Sequence, residues 1–371
     1  MGDGKDGRLN SEREALKAEF LTAHGFGDAT RERLAGDAST RLYERLHRPH
    51  GSSLIFMDQP PALETVACPP DASPDQRAAL GYNASARLAA GRVDAFVAVA
   101  GYLRGRGFSA PSVLAADVTL GLAVLEDLGD DLFARRIAAG EDELSLYEAA
   151  TDVQVALHAE APPAVLEAGG VAWPLLDYDG LALRTGADLF LDWWPKFSQA
   201  PAFSPEAVLE WNALWAPIRQ RGAAGASVFA HRDFHAENLI WLPDRAGIAR
   251  VGLLDFQDAV RAHPAWDLLH LLQDARRDVA PALEARMLRR YLHARPQVEA
   301  ESFLADYRGL AALNAARILF IFARQVAGFG RPRYGDFMPR VWRSLERNLE
   351  DPALADLRAW FDREIPPGTR P

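Results

Sequence analysis

Three oxygen-bearing side chains in the second half of the sequence have the types and spacing that phosphoryl transfer requires. The segment HRDFHAEN runs from His231 to Asn238, and Asp255 follows after a short β-rich stretch. The reaction needs a carboxylate that orients the attacking hydroxyl and accepts its proton, and oxygen ligands for Mg²⁺ at the nucleotide phosphates. We therefore predict Asp233 as the catalytic base. Asn238 and Asp255 are the predicted metal ligands, because hard oxygen donors suit Mg²⁺.

A rival interpretation uses the alternation of His231, Asp233 and His235. On a strand these side chains would face the same way and could bind a transition metal in a hydrolase. That interpretation leaves Asn238 and Asp255 without a role. We favour His231 and His235 as hydrogen-bonding supports of a catalytic loop.

The segment from His231 to Asn238, followed by the Leu-Asp-Phe around Asp255, resembles the H-x-D-x-H-x-x-N loop and I/L-D-F metal motif of the aminoglycoside phosphotransferase and choline kinase superfamily. The resemblance extends over roughly residues 30 to 345 and includes the Pro-Ala-Trp-Asp segment that ends at Asp267. It implies a protein-kinase-like fold, an ATP-dependent kinase activity and Mg²⁺ as cofactor. It also implies that Asp267 braces the catalytic loop.

The elements around these motifs predict an α+β, bilobal, protein-kinase-like fold. We expect a small mixed β-sheet N-lobe over residues 1–127 and a larger, mainly helical C-lobe over residues 128–371. Residues 1–10 are predicted to be a flexible tail, with Ser11 capping the first helix. Apolar alternation and short β-rich runs bounded by turn formers predict five N-lobe strands: Arg33–Ala35, Arg41–Leu46, Ser53–Met57, Pro111–Ala115 and Gly121–Leu125. Helical periodicity predicts six C-lobe helices: Glu143–His158, Pro205–Arg219, Ala265–Ala275, Ala280–His293, Ala300–Gly328 and Pro339–Arg347.

A run of small residues between two predicted N-lobe strands is a candidate phosphate-binding loop. Small residues let backbone N–H groups approach phosphates closely, although a hairpin with one glycine is often only a turn. In a kinase-like N-lobe the run occupies the place of the nucleotide-covering loop. Its members are Gly36, Asp37, Ala38, Ser39, Thr40 and Arg41. We expect the adenine to lie against the backbone of Glu126, Asp127 and Leu128.

The predicted N-lobe sheet lacks the lysine with which kinases hold the α- and β-phosphates. Met57 stands roughly where that lysine is expected. Either Arg41 or Arg45 replaces it, or the chain is a non-catalytic nucleotide-binding pseudokinase. The complete set of Asp233, Asn238 and Asp255 favours an active enzyme. The lysines of the chain are Lys5, Lys17 and Lys196.

Several local sequences are more specific than the superfamily motifs. The GDASTRLY, MDQPP and DWW segments, among others, resemble the anomeric kinases of bacterial cell-wall recycling, which phosphorylate N-acetylmuramate and N-acetylglucosamine at C1. The resemblance implies a sugar acceptor. Other small acceptors of the superfamily, such as an aminoglycoside, choline or homoserine, remain alternatives. The candidate acceptor residues are Asp192, Trp193, Asn314, Arg317 and Arg324.

A polar stripe on one predicted helix carries the acceptor hypothesis. Asn314, Arg317, Arg324 and Gln325 fall within about 100° on a helical wheel of an otherwise apolar helix. The arginines either form salt bridges inside the C-lobe or bind an anionic sugar such as N-acetylmuramate. Trp193 could stack on a sugar ring or belong to the core.

Composition excludes several other classes of protein. The chain has 371 residues, a net charge of −10 and one cysteine, Cys68. The negative charge argues against nucleic-acid binding, and a single cysteine excludes an intrachain disulfide. No signal peptide is evident, and the most apolar runs are too short to cross a membrane. We expect a cytoplasmic protein whose partner is a small-molecule sugar, with no membrane contact and no obligate protein partner.

Overall fold

The first part of the chain folds into a five-stranded sheet that is covered on one face by a helix. The computed structural model describes residues 3–34, 41–60 and 66–371, with residues 3–10 described by their backbone alone. Every pair of neighbouring strands is antiparallel, in the order β1-β2-β3-β5-β4. The covering helix is α1 (Asp3–Ala23). The strands are β1 (Thr30–Arg33), β2 (Leu42–His47), β3 (Leu54–Asp58), β4 (Val113–Asp117) and β5 (Leu122–Glu126).

The two faces of this sheet have different tasks because successive side chains of a strand alternate between them. On one face, Phe20 of α1 packs against Phe56 and Val124. On the opposite face, Met57 belongs to the large core that the sheet shares with the helical part of the molecule. Lys17 is buried on the α1 side, where its Nζ lies 2.7 Å from Glu44. It therefore lies on the face of the sheet opposite to Met57.

The remainder of the chain is mainly helical. Its helices are α5 (Phe133–Ala138), α6 (Glu143–Leu157), α7 (Gly180–Ser198), α8 (Pro205–Ala224), α9 (Ala265–Leu272), α10 (Pro281–Ala294), α11 (Ala300–Ala327), α12 (Met338–Asn348) and α13 (Ala355–Glu364). Three short hairpins or strand pairs are inserted among them: β6 (Val165–Ala168) with β7 (Val171–Pro174), β8 (Val228–Ala230) with β11 (Val260–Ala262), and β9 (Leu239–Trp241) with β10 (Val251–Leu253).

The predicted fold class is confirmed, and three details are corrected. The sheet is antiparallel rather than mixed, because β5 pairs with both β3 and β4 in opposite directions. The first helix begins at Asp3 rather than after a Ser11 cap. Its polar sequence therefore did not mark a tail. Helix α7 and the β6–β7 hairpin were not predicted.

A segment between β3 and β4 joins the sheet to the helical part of the chain. It contains α2 (Pro74–Leu80) and α3 (Tyr82–Ser85), and α4 (Val93–Gly105) follows it. Arg77 and Arg87 both bind Asp179, which also caps α7 through the N–H of Ala182. Arg232 donates to the Arg87 carbonyl at 2.9 Å. The segment is therefore fastened to the helical part at several points besides the chain connection after β5.

Helix α11 is long and apolar enough to cross a membrane by length and composition. Of its most apolar window, however, 61% is buried inside the protein. It packs against α7, α9 and α12. This is the environment of a core helix, and its hydrophobicity is explained by that packing.

We predict that Asp179→Asn destabilises the protein by about 2–3 kcal/mol, since Arg77 is buried and loses its carboxylate partner. Asparagine keeps the helix cap, so the loss reports on the arginines. Urea denaturation measures it. Asp142→Asn is the matched control, because Asp142 caps α6 through Leu144 and Ser145 without binding a buried arginine. Equal losses in the two variants would contradict the prediction.

Candidate active site

The loop that carries Asp233 is held by one buried carboxylate. Asp267, near the start of α9, accepts the backbone N–H of His231 at 2.6 Å and of Arg232 at 2.9 Å. Arg232 has a φ of 77°, a left-handed conformation that costs a non-glycine residue free energy. The two hydrogen bonds stabilise this turn and so fix the position of the backbone at Asp233. The structure places Asp267 in the bracing position that the sequence predicted.

Asp233 lies among cationic and imidazole groups. Burial opposes its ionisation, but the Arg317 guanidinium, followed by His270, His235 and Arg232, outweighs burial and lowers the pKa of Asp233 to about 2. The side chain is therefore ionised throughout the physiological range. A carboxylate in this state can accept a hydrogen bond from a hydroxyl group and receive its proton.

The predicted metal ligands come together through the β9–β10 pair. Asn238 donates its amide Nδ2 to the Asp233 carbonyl at 2.9 Å, which turns its oxygen away from that carbonyl. The Asn238 carbonyl in turn accepts the N–H of Leu254, the residue before Asp255. Asp255 has a φ of 62°, and its side chain is 42% exposed. One amide oxygen and one accessible carboxylate are donors that suit Mg²⁺ completed by water and phosphate.

Arg41 reaches the predicted metal site from the sheet. Its guanidinium donates to Asp255 and to Gln257, each at 2.7 Å, and to the Tyr43 hydroxyl at 3.2 Å. Gln257 also donates to Asp255 at 3.1 Å. Arg41, one of the two arginines predicted to replace the strand lysine, therefore lies next to the predicted metal ligand Asp255.

Arg45 lies elsewhere, although it is only four residues after Arg41, which immediately precedes β2. It pairs with Asp127 at 2.7 Å and with Asp130 at 2.9 Å. These acids follow β5, so Arg45 supports the connection between the sheet and the helical part. Of the two arginines, Arg41 is the one placed near Asp255.

The side chains of the predicted adenine-binding segment, residues 126–128, contact other parts of the protein. Glu126 accepts the N–H of Ser112 at 3.0 Å and a guanidinium N–H of Arg245 at 2.6 Å. Asp127 accepts the Ser53 hydroxyl at 2.7 Å. Leu128 is 9% exposed. Because the side chains are engaged in the protein, recognition of the adenine through the backbone stays the prediction for this segment.

Five predicted phosphate-loop residues lie outside the described residues. They are Gly36, Asp37, Ala38, Ser39 and Thr40. Arg41, the sixth, has the contacts with Asp255 and Gln257 given above.

The two histidines of the loop do not form a metal centre. Desolvation lowers the pKa of His231 to about 4, and its ring packs edge-on against Phe234 and Phe256. His235 Nε2 lies 3.3 Å from Asn238 and 3.2 Å from Arg276. Among the described residues no group of three His, Cys, Asp or Glu side chains is arranged to hold a metal ion. Both histidines lie where a supporting role was predicted.

Arg317 is the acceptor candidate that the structure brings to Asp233, and Asn314 is its hydrogen-bond partner. Arg317 donates to Asn314 at 3.3 Å and forms no ion pair with a described residue. Tyr178, Tyr82 and Asp233 are close enough to Arg317 to interact with its charge. Among the described residues, therefore, no salt bridge inside the helical part neutralises Arg317.

The other acceptor candidates lie further along the same helices. Arg324 stacks over the Trp193 ring, with 5.8 Å between the guanidinium carbon and the ring centroid. Seven residues separate Arg317 from Arg324, or about 10 Å along the helix. Asp192 is exposed beside Trp193 on α7. The two arginines have different surroundings, because Arg317 lies in the electrostatic environment of Asp233 whereas Arg324 lies over the Trp193 and Phe329 rings.

Sequence reasoning missed several residues that surround Asp233. Tyr82 of α3 lies near Arg317, and its ring packs edge-on against Phe320 at 6.4 Å. His270 is buried, its pKa is lowered to about 3 by desolvation, and its Nε2 has no hydrogen-bond partner among the described residues. His270 follows Asp267 by three residues, which places both on one face of α9. That spacing was a readable signal for His270, whereas nothing local marked Tyr82.

Comparison with known proteins identifies the class that this fold and site define. The model of the phosphotransferase enzyme family matches residues 30–313. The chain belongs to this family and is a kinase. The predicted resemblance is thereby confirmed.

Two relatives with assigned activities cover nearly the whole chain. The N-acetylmuramate/N-acetylglucosamine kinase of Caulobacter vibrioides is 64% identical over 98% of this chain and 99% of its own length. The enzyme of the same name from Pseudomonas aeruginosa is 27% identical over 96% of this chain and 95% of its own length.

Solved structures show the same fold at low sequence identity. A choline/ethanolamine kinase family protein from Mesorhizobium loti aligns with a TM-score of 0.52 and 16% identity, covering 94% of this chain and 98% of the other. An aminoglycoside phosphotransferase in complex with gentamicin aligns with a TM-score of 0.51 and 13% identity, covering 92% and 97%. At this identity the likeness supports the fold.

We predict that Arg41→Met weakens MgATP binding about ten- to hundredfold, because a charge-assisted bond to phosphate is worth roughly 1.5–3 kcal/mol. Titration calorimetry with MgATP measures the change. Arg45→Met is the matched control from the neighbouring strand β2, and we expect less than about a threefold change because Arg45 pairs with Asp127 and Asp130 rather than with Asp255. Equal losses in both variants, or none in Arg41→Met, would remove Arg41 from the phosphate site.

Proposed function

We propose that this kinase transfers the γ-phosphoryl group of ATP to the anomeric hydroxyl of N-acetylmuramate and N-acetylglucosamine. The observation that carries the proposal is that an ionised carboxylate, Asp233, lies in the electrostatic environment of Arg317. Arg317 itself forms no ion pair with a described residue. The whole-length identity of 64% to an enzyme named for these two sugars supports it. The products are a sugar 1-phosphate and ADP, and we assign the reaction to peptidoglycan recycling.

In this reaction the C1 oxygen attacks the γ-phosphorus, and the bond to the bridging oxygen of ADP breaks. The hydroxyl proton passes to Asp233 Oδ. A carboxylate with a pKa of about 2 is a weak base, yet a loose phosphoryl-transfer transition state makes little demand on base strength. The anomeric hydroxyl is also more acidic than an ordinary alcohol. Asp233 therefore acts mainly by orienting the hydroxyl in line with the γ-phosphorus and the bridging oxygen. It receives the proton late in the phosphoryl transfer.

ATP and Mg²⁺ are the proposed cofactors. Asn238 and Asp255 would hold the metal, which neutralises charge on the phosphates. Arg41 would take over the phosphate contact of the missing strand lysine. The nucleotide would lie between the sheet of residues 1–127 and the helical residues 128–371, a division into lobes that we also propose.

The charge around Asp233 favours an anionic or neutral acceptor over a cationic one. Arg317 would attract the lactyl carboxylate of N-acetylmuramate through charge-assisted hydrogen bonds. The same arginine would repel the ammonium groups of an aminoglycoside or the quaternary nitrogen of choline. Of the tyrosines near Arg317, Tyr82 is partly exposed and would offer its hydroxyl group to a sugar, whereas Tyr178 is buried beneath Arg232 and Trp266. A small cytoplasmic sugar is the partner that we propose.

We predict that the purified protein converts N-acetylmuramate and MgATP to N-acetylmuramate 1-phosphate, and that Asp233→Asn lowers kcat about 10²–10⁴-fold. Phosphorus NMR identifies the product, because a 1-phosphate couples to the anomeric proton. A 6-phosphate product, or turnover of kanamycin without turnover of amino sugars, would refute the sugar assignment. MgATP binding without turnover of any acceptor would identify a pseudokinase.

We predict that Arg317→Met raises the KM for N-acetylmuramate about ten- to hundredfold and that for N-acetylglucosamine much less, because the second sugar lacks the carboxylate. The variant also loses the group that most lowers the pKa of Asp233, while burial still raises it. Activity should therefore be lost at a higher pH on acidification than in the wild type, with either sugar. Arg317→Lys keeps the charge and should keep the acid limb low. Equal KM increases for both sugars would return Arg317 to a structural role.

A further inference from the structure

Helices α7 and α11 lie side by side and run in the same direction away from Asp233. Gly186 of α7 lies against Arg317, where an added Cβ would be 2.9 Å from the arginine Cδ. Further along, an added Cβ on Gly328, just after α11, would be 2.9 Å from the Trp193 ring. Arg317 and Arg324 are seven residues apart, so they share one face of α11 at a separation of about 10 Å. Arg317 and the Trp193 ring thus lie along the contact between the same two helices, with Trp193 close to the end of α11.

At that end three cations surround two aromatic rings, and we call this group the Trp193 cluster. Lys196 Nζ lies 4.3 Å from the centre of the Trp193 ring, and Arg324 lies 5.8 Å from it on α11. Arg324 and Arg331 lie 5.1 and 5.9 Å from the Phe329 ring, which is 54% exposed. Lys196, Arg324 and Arg331 form no ion pair within the part of the chain that the structure describes. A basic, partly apolar surface of this kind fits an anionic organic ligand.

We propose that the Trp193 cluster is a second acceptor subsite, which binds the carboxylate of a short acidic peptide attached to the lactyl group of N-acetylmuramate. The proposal rests on the sugar-kinase function proposed above. Attaching the peptide converts the lactyl carboxylate near Arg317 into an uncharged amide. The negative charge reappears at the end of the peptide. Two extended residues span about 7 Å, and a glutamyl side chain extends the reach to the roughly 10 Å that separates Arg317 from Arg324.

The division of labour between the two arginines follows from this geometry. Arg317 would recognise the group attached directly to the sugar, and Arg324 with Lys196 would recognise a charge further out. The Trp193 and Phe329 rings would contact the peptide backbone and its methyl groups. The enzyme would then phosphorylate peptide-bearing sugars as well as the free sugar.

The test compares two acceptors, N-acetylmuramate and N-acetylmuramyl-L-alanyl-D-glutamate, by ADP release. We expect the wild type to phosphorylate both. Arg324→Met and Lys196→Met should each raise the KM for the peptide-bearing acceptor about tenfold relative to the KM for N-acetylmuramate. Arg289→Met is the matched control, since Arg289 is exposed on α10 and away from both arginines. It should leave both KM values unchanged.

Two results would overturn the subsite while leaving the proposed function in place. One is an unchanged ratio of KM values in the Arg324 and Lys196 variants. The other is a peptide-bearing acceptor that is neither phosphorylated nor competitive with N-acetylmuramate. If no amino sugar is phosphorylated, the proposed function fails, and calorimetric binding of the peptide-bearing acceptor decides the subsite. Tenfold weaker binding to Arg324→Met would then support it, whereas equal or absent binding would refute it.

Discussion

The site depends on two hydrogen bonds from the catalytic loop to the buried Asp267 carboxylate. A left-handed turn at Arg232 is unfavourable by itself, and a buried carboxylate is unfavourable without donors. Each problem is solved by the other, because the turn presents two adjacent N–H groups to the carboxylate. Burial raises the pKa of Asp267 to about 7, and the two N–H donors offset only part of that rise. The position of Asp233 follows directly from this arrangement, and Asn238 is then oriented by the Asp233 carbonyl.

A second constraint ties the acceptor side of the site to the first half of the chain. Asp179 holds both Arg77 and Arg87 at the start of α7, and Arg232 holds the Arg87 carbonyl. These contacts bring Tyr82 to Arg317 even though the two residues are far apart in sequence. The residues from 74 to 92 are thereby held against the helical part of the chain next to the catalytic loop.

How much the sequence could predict depended on whether the relevant geometry was local. The spacing from His231 to Asn238 and on to Asp255 is local, and it predicted the loop and the strand pair, whereas the family resemblance implied the bracing role of Asp267. The choice between Arg41 and Arg45 was not local. Arg41 immediately precedes β2 and Arg45 lies within it, and their tertiary partners separate them. Tyr82 and Asp179 carried no signal because their contacts join distant segments. The loop of residues 35–40 lies outside the described structure, so its phosphate-binding role stays a prediction.

The two arginines of α11 show a related limit of sequence patterns. A helical wheel projects a helix onto a circle and discards the coordinate along the axis. Arg317 and Arg324 coincide on the wheel, and this coincidence suggested one shared ligand group. In the structure two helical turns separate them, and their surroundings differ: Arg317 lies near an ionised carboxylate and two tyrosines, whereas Arg324 stacks on exposed rings. Under the proposals made above, the same residue type at nearly the same angular position would serve a charge close to the reacting hydroxyl in one case and a more distant charge in the other.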